Sequence, residues 1–469
     1  MTLRLRRVGL LVLAVATVTC ARSREPDVRG VVLITLDTTR ADRLTPYGFM
    51  DAKMSAFERL AREGVLFDQA TSVAPLTLPA HARIMTGLWP PAHGVRDNAS
   101  PPLAETCVTL AEVLHAQGFR TAAFVGSNVL HRDRGLSQGF EHYGGPGHDA
   151  RPEHGAPQRP AAEVVTEAMQ WLRGVNGSRF FAWLHLYDPH RPYEPPEPYA
   201  TMYASDPYVG EIAYVDAQIG VLLDALEQQG VLSRTVVVVA GDHGEALGDH
   251  GERDHGVFIY ESVLRVPLII RAPSLPPGRV GAVVRLIDVM PTTLALLGMP
   301  PARSDGTDLT ALMRGHRQEL EAYSESLYPQ RFGWSPLRAL RDGRFKLIDA
   351  PRPELYDLHR DPFEEHNIYD QRPTVAAAMH RRLAAFSGSD WPAGQSGGNR
   401  QTVSSEVKDR LAALGYVTAS PVTNPGSGIA LPDPKDFVGR EPFVPGRPWL
   451  VPSDAVPKNL SKSSPPSQD

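Results

Sequence analysis

The densest gathering of chemically able side chains follows a run of four valines, Val236–Val239, in Gly241-Asp242-His243-Gly244-Glu245. A carboxylate and a neutral imidazole are metal ligands of mixed hardness, and the flanking glycines let backbone come close to a bound group. Asp249, His250, Asp254 and His255 crowd the next loop. A solvated loop has no reason to collect His with Asp, so the region reads as a metal or catalytic site. A second carboxylate, Asp37, opens Asp37-Thr38-Thr39-Arg40-Ala41-Asp42. Taken alone, Asp37 or Thr38 reads equally well as the cap of a following helix.

The third segment runs from Ala74 through Thr77-Leu-Pro79-Ala-His81 to Gly87. Pro79 suits the first turn of a helix and Gly87 its C-terminal cap. Thr77 then falls at or just before the helix N-terminus, where N–H groups and the dipole favour an anion. A hydroxyl there is either a simple cap or a nucleophile. His81, one turn on, is within reach of the same anion. His185, Asp188 and His190 form a fourth group in Trp183-Leu-His-Leu-Tyr-Asp-Pro-His-Arg-Pro-Tyr193. His185 lies within a strand and suits a satisfied core position, whereas His190 lies beyond the strand end and ranks higher as a functional residue.

Positioning these residues requires elements that end beside one another. Val31–Asp37, Arg120–Val125, Phe180–Asp188, Thr235–Ala240 and Val266–Arg271 are short apolar runs rich in β-branched residues. Continuous rather than alternating runs suit a parallel sheet covered on both faces. Ser55–Glu63, Ala161–Arg173 and Tyr208–Gln229 read as helices between them. The alternation argues for a doubly wound, mostly parallel α/β fold, in which ligands bind beyond the carboxyl ends of the strands. Asp37, the Asp188–His190 pair and Asp242-His243 all follow such ends.

From about residue 321 the texture changes. Leu337–Leu340 and Arg344–Ile348, with Asp342-Gly343 between them, read as a hairpin, and a helix-like run follows from Pro373 to Phe386. The expected organisation is therefore a catalytic domain over 28–320 and a small antiparallel sheet with a covering helix over 321–387. Residues 388–469 are rich in Pro, Gly, Ser and Asp and read as a low-complexity tail with one short helix-like piece, Ser404–Leu414.

The chain has 469 residues, 42% hydrophobic and 22% charged, with a formal net charge of -5. That is globular composition with no general basic field, so nucleic acid is not an expected partner and anion handling must be local. Arg4, Arg6 and Arg7 precede an apolar run, Val8–Val18, shorter than the roughly 20 residues of a spanning helix. Residues 1–20 therefore read as a signal peptide. Cys20 directly follows the run, where a lipidated cysteine would stand, although Thr17 and Thr19 suit that processing poorly. Export is expected, to the periplasm, to the outer membrane as a lipoprotein or to the medium, with membrane contact only through a lipid on Cys20. Cys107 is then alone in the mature chain, and a small buried apolar role in Glu105–Gly118 fits it.

Taken together these segments resemble the sulfatases, within the alkaline phosphatase superfamily. The matching pieces are Val32–Asp42, Leu60–Phe67, Thr86–Pro90, Asp188-Pro-His190-Arg-Pro-Tyr193, Gly241–Glu245, His255–Glu261, Leu264–Leu268, Asp288–Thr292 and Glu354–Leu358, in order along the chain. The resemblance implies one divalent metal (Mn, Zn, Mg or Ca) held by Asp37, Asp242 and His243, with Thr77 beside it as nucleophile and fourth ligand. It also implies that His190 and His255 meet the ester's anionic oxygens or protonate its leaving group. Arg40 and His81 are further candidates for contact with an anionic ester substrate. A second metal would need an Asp-x-x-x-His spacing, and Asp188 is followed at that spacing by Pro192.

One departure from the family pattern bears on the chemistry. Typical sulfatases carry Cys or Ser in Cys/Ser-x-Pro-x-Arg and oxidise it to formylglycine, whereas this chain has Thr77-Leu-Pro79-Ala-His81. Thr cannot be converted to the aldehyde hydrate, so no formylglycine is expected. A hydrate expels sulfate by collapsing to the carbonyl, but a threonine ester must be displaced at its central atom. Threonine nucleophiles suit phosphoryl groups, and the superfamily holds threonine-using phosphodiesterases, phosphonate hydrolases and envelope phospho-group transferases. Three readings follow: a hydrolase of sulfate or phosphate esters, a phospho-group transferase on envelope glycan or lipid, and a non-catalytic module binding sulfated or phosphorylated glycan.

Overall fold

The computed structural model describes residues 28–146, 158–175, 177–387 and 431–438. The 1–20 signal segment, the Ser404–Leu414 piece and most of the tail lie outside the described residues. Nine strands form one large sheet: β1 (Gly30–Leu36), β2 (Val65–Thr71), β3 (Arg120–Val125), β4 (His142–Gly144), β5 (Phe180–Leu186), β6 (Thr235–Gly241), β7 (Arg265–Val266), β8 (Leu268–Arg271) and β9 (Gly278–Arg285). The order is β4-β3-β5-β1-β6-β8-β2-β7, with β9 on β2. Neighbours from β4 to β6 are parallel. The expected Val266–Arg271 strand is a correction: Pro267 cannot donate to the ladder and splits it, and both pieces run antiparallel to their partners.

β1 and β6 are buried along their whole length, as a sheet covered on both faces requires. Val31 and Leu33 pack into one core with Phe181 and Trp183; Val32, Ile34 and Leu36 pack into another with Ala182 and Leu184. The first face is covered by α2 (Thr77–Thr86) and α3 (Leu110–Ala116), among others. The second is covered by α1 (Ser55–Glu63), α4 (Ala161–Gly174) and α5 (Pro207–Gln228). A further helix, α6 (Val289–Leu296), packs on α2. Cys107 lies buried in the first core.

Four antiparallel strands form the second sheet in sequence order: β10 (Ala322–Ser326), β11 (Leu337–Arg341), β12 (Phe345–Asp349) and β13 (Glu354–Asp357). Helix α7 (Pro373–Ser387) covers it, with Met379 and Leu383 against Tyr323, Leu340, Leu347 and Leu355. Lys346 reaches across to Glu261 of the larger unit (3.1 Å) and to Glu364 (2.8 Å). Within the expected tail, residues 431–438 are held down: Phe437 stacks on buried Trp334 at 4.9 Å, and Lys435 pairs with Glu354 at 3.0 Å. No helix among the described residues is long and apolar enough to cross a membrane.

Candidate active site

Register decides which strand ends meet. Leu36 pairs with Leu186 on one side and Gly241 on the other. The ladder continues one step, with the Asp37 N–H donating to Leu186 O and the Asp242 N–H to Leu36 O, each at 3.0 Å. Asp37 and Asp242 therefore leave the sheet side by side and both are fully buried. Just beyond, Thr38 adopts a left-handed conformation (φ 47°) that a β-branched residue rarely takes, turning the chain sharply out of β1. Tyr208 braces this turn by donating its hydroxyl to Thr38 O (2.6 Å) and accepting from the Arg40 N–H (3.0 Å).

Each carboxylate has one oxygen engaged and one without a protein partner. Asp37 Oδ2 is 3.1 Å from His185 Nε2, and Asp242 Oδ1 accepts from the His243 N–H at 2.6 Å. Asp37 Oδ1 and Asp242 Oδ2 have no hydrogen-bond partner. His243 Nε2 stands 3.7 Å from the first and 3.6 Å from the second. Its Nδ1 faces the Gly244 carbonyl at 3.0 Å, which only accepts, so Nδ1 carries the proton and Nε2 presents its lone pair. Burial, with His255 nearby, holds His243 well below the ordinary imidazole range.

Thr77 is the first residue of α2, whose C-cap is Gly87 at φ 64°. Its side chain makes no cap; Leu76 is the N-cap residue, and Asn98 Oδ1 takes the Leu78 N–H at 2.9 Å. Thr77 Oγ1 instead lies 3.3 Å from His243 Nε2. Four atoms thus converge: Asp37 Oδ1, Asp242 Oδ2, His243 Nε2 and Thr77 Oγ1.

The electrostatics of this group is unbalanced without a cation. Burial and then Asp37 push Asp242 well above the carboxylate range. Burial would raise Asp37 too, but the His185 hydrogen bond and the rings of His243 and His190 outweigh it and hold it very low. Two orphaned carboxylate oxygens and a lone-pair nitrogen within 4.8 Å of one another fit one divalent ion. Spacings near 3.6 Å suit ligands bound at about 2.1 Å each.

His190 and His255 flank the group. The His190 and His255 ring centroids are 5.3 Å apart, and those of His255 and His243 4.5 Å. His190 donates Nδ1–H to the Arg191 carbonyl at 2.7 Å and stacks on Tyr187, so its buried, unpartnered Nε2 carries a lone pair. Burial keeps His190 down at about 4. His255 Nδ1 lies 3.1 Å from Glu245 Oε1. Burial would lower His255, but the Glu245 charge and hydrogen bond raise it to about 9. Tyr193 donates to the other Glu245 oxygen at 3.1 Å and fixes that carboxylate.

A scan for known families matches the description "Sulfatase" over residues 29–299, more than half of the chain. The chain belongs to the sulfatase family. Residues 248–388 match the C-terminal region of N-sulphoglucosamine sulphohydrolase. The chain is 26% identical over 407 residues to an ulvan-active sulfatase from Formosa agariphila, covering 75% of this chain and 79% of that one. It is 24% identical over 409 residues to a Δ4,5-hexuronate-2-O-sulfatase from Bacteroides thetaiotaomicron (72% and 84% covered). Among solved structures, a phosphonate monoester hydrolase of Agrobacterium radiobacter superposes with a TM-score of 0.66 at 23% identity, covering 76% of this chain and 95% of that one. The protein is thus a sulfatase-like hydrolase of alkaline phosphatase-like fold.

Two residues expected at the substrate turn elsewhere in the structure. Arg40 faces away: Nε and Nη2 bind Asp42 (2.9 and 2.7 Å), and Nη1 binds Asp249 (2.8 Å) and the carbonyls of Glu245 and Ala246 (3.2 and 3.3 Å). His81 is fully buried with both ring nitrogens taken, by Thr77 O and Thr35 Oγ1. Asp188 accepts the Ala161 N–H and so caps α4, and burial raises it to about 6. The sequence places His185 as a core residue and assigns no role to Glu245, Asn98 or Thr35. Parity along β1 carries the missing signal, since Thr35 and Asp37 share a face and Thr35 pairs with His185 in register.

Proposed function

We propose that this sulfatase-family chain is a metal-dependent ester hydrolase that uses Thr77 as its nucleophile on a sulfate or phosphate ester. The carrying observation is the convergence of Thr77 Oγ1 with two orphaned carboxylate oxygens and the His243 lone pair. Asp37, Asp242, His243 and Thr77 would hold a divalent ion, which supplies positive charge that favours the Thr77 alkoxide and the anionic ester. Thr77 forms its bond to the central phosphorus or sulfur as the ester's bond to its alcohol breaks. The bare Nε2 of His190 takes the Thr77 proton and, so charged, contacts an anionic oxygen, while His255, charged through its pairing with Glu245, gives its proton to the leaving alcohol. Water then displaces Thr77 from the central atom, losing its proton to His255 as Thr77 regains its own from His190.

A threonine ester lacks the internal exit of an aldehyde hydrate, so displacement at the central atom favours phosphate or phosphonate over sulfate. The likeness to phosphonate monoester hydrolases is in keeping with that preference. Export of the mature chain belongs to the same proposal. The test is a paired panel of aryl sulfate, phosphate and phosphonate esters with Mn²⁺, Zn²⁺, Mg²⁺ or Ca²⁺. Turnover should vanish on chelation and in Thr77→Ala; activity persisting in Thr77→Ala would remove Thr77 from the nucleophile's role.

A further inference from the structure

His81, His185 and Asp242 also lie close enough together to ligate a cation, and Asp242 is shared with the group described above. A two-ion centre is one reading of that overlap, but the hydrogen bonds of the two rings favour another. The Gly126 N–H donates to the His185 carbonyl at 3.1 Å and reaches ring Nδ1 only as a second branch at 3.4 Å, whereas the Asp37 carboxylate facing Nε2 can only accept. The proton of that ring is therefore on Nε2, aimed at Asp37 Oδ2 (3.1 Å). A protonated nitrogen is a donor, not a ligand. Asp37 is left with Oδ1 alone for an ion.

His81 is fixed by the same logic. The Thr77 carbonyl only accepts, so His81 Nδ1, 2.8 Å away, is the donor. With that proton on Nδ1, Nε2 is left to take the Thr35 hydroxyl proton at 2.9 Å. Trp183 Nε1–H completes the line by donating to Thr35 Oγ1 at 3.0 Å. The line Trp183–Thr35–His81–Thr77 ties the sheet to the first turn of α2, and the His185 ring packs edge-on against His81 at 5.0 Å. Every donor and acceptor in it is used once, with none left for a second ion.

We propose that His185 and His81 are positioning residues: His185 restrains Asp37 so that one oxygen faces the ion, and His81 restrains the Thr77 backbone so that Oγ1 meets it. The inference rests on the metal-site reading above. Partners that orient a ligating group typically contribute 10–100-fold in metal affinity or activity.

The test is a metal titration of the full mature chain against a chromophoric chelator, with Mn²⁺ and Zn²⁺, beside melting of the metal-free protein. His185→Phe keeps the ring and removes the donor; His185→Gln keeps a donor near the same place. The expected results are one ion per chain in wild type, affinity about 10–100-fold weaker in Phe and largely restored in Gln. The metal-free melting temperatures of the two variants should be alike, which a merely structural role would not give. His81→Leu, which releases Thr77 Oγ1, should weaken the affinity too and lower kcat with KM unchanged; affinity and kcat both at the wild-type level would overturn the His81 part. If His185→Phe does not fold, His185→Leu takes its place in the same comparison. Two ions per wild-type chain, undiminished affinity in Phe, or Gln no better than Phe would overturn the inference. Wild type binding no ion would overturn the site reading itself.

Discussion

Replacing Arg40 by Met keeps most of the side-chain volume and removes the guanidinium that joins the exit of β1 to the loop after β6. The side chain is only 6% exposed, and its partners differ in how well water can replace it. Asp42 and Asp249 are 35% and 47% exposed, so their pairing, although bidentate at Asp42, is worth about 1 kcal/mol in total. The carbonyls of Glu245 and Ala246 are different. Both residues are buried, and each acceptor left unsatisfied costs about 1 kcal/mol. The sum is about 3 kcal/mol, to be read from urea denaturation of the metal-free protein. Because Arg40 does not face the converging ligands, KM for any ester the wild type turns over should change by less than about threefold. Unchanged stability with a KM raised about tenfold would refute this reasoning and return Arg40 to the substrate.

Glu211 is raised to about 8 by burial and by Asp188, so the folded state holds its proton more tightly than the unfolded chain. That contribution is complete below the ordinary glutamate range and is lost as pH rises toward 8; the melting temperature of Glu211→Gln should therefore gain on wild type between pH 5 and 8. Gly256 has φ 111°, and an added Cβ would stand 3.1 Å from Tyr328 and 3.4 Å from Leu76, the neighbour of Thr77. Gly256→Ala should cost about 1–3 kcal/mol in thermal or urea unfolding and lower kcat by displacing His255. Phe437→Ala should partly uncover Trp334, shift its fluorescence to the red and cost about 1–2 kcal/mol, because Phe437 stacks flat on the buried indole at 4.9 Å.

Much of the site was legible because parallel strands place their carboxyl ends together. Asp37 and Asp242-His243 could be read as strand-end residues, and Pro79 and Gly87 bounded the helix that starts at Thr77. Helix positions such as Ser55–Glu63 follow from a strong 3.6-residue pattern. Direction was not legible. A buried apolar run such as Leu268–Arg271 has the same composition whichever way it runs, so its antiparallel pairing emerges only from its neighbours. Nor was side-chain aim: Arg40 and His81 have the right types for an anion, but one is drawn off by Asp42 and Asp249 and the other by Thr77 O and Thr35. The hold on residues 431–438 depends on Trp334 and Glu354, about a hundred residues earlier, which no local reading connects.

The most direct measurement is an acid quench of the metal-loaded enzyme during turnover of a phosphate or phosphonate monoester, followed by peptide mass analysis. The account predicts a covalent phospho adduct on the peptide containing Thr77, at Thr77 itself, absent from Thr77→Ala and from chelated wild type. An adduct on another residue, or steady turnover in Thr77→Ala with the same metal, would contradict it.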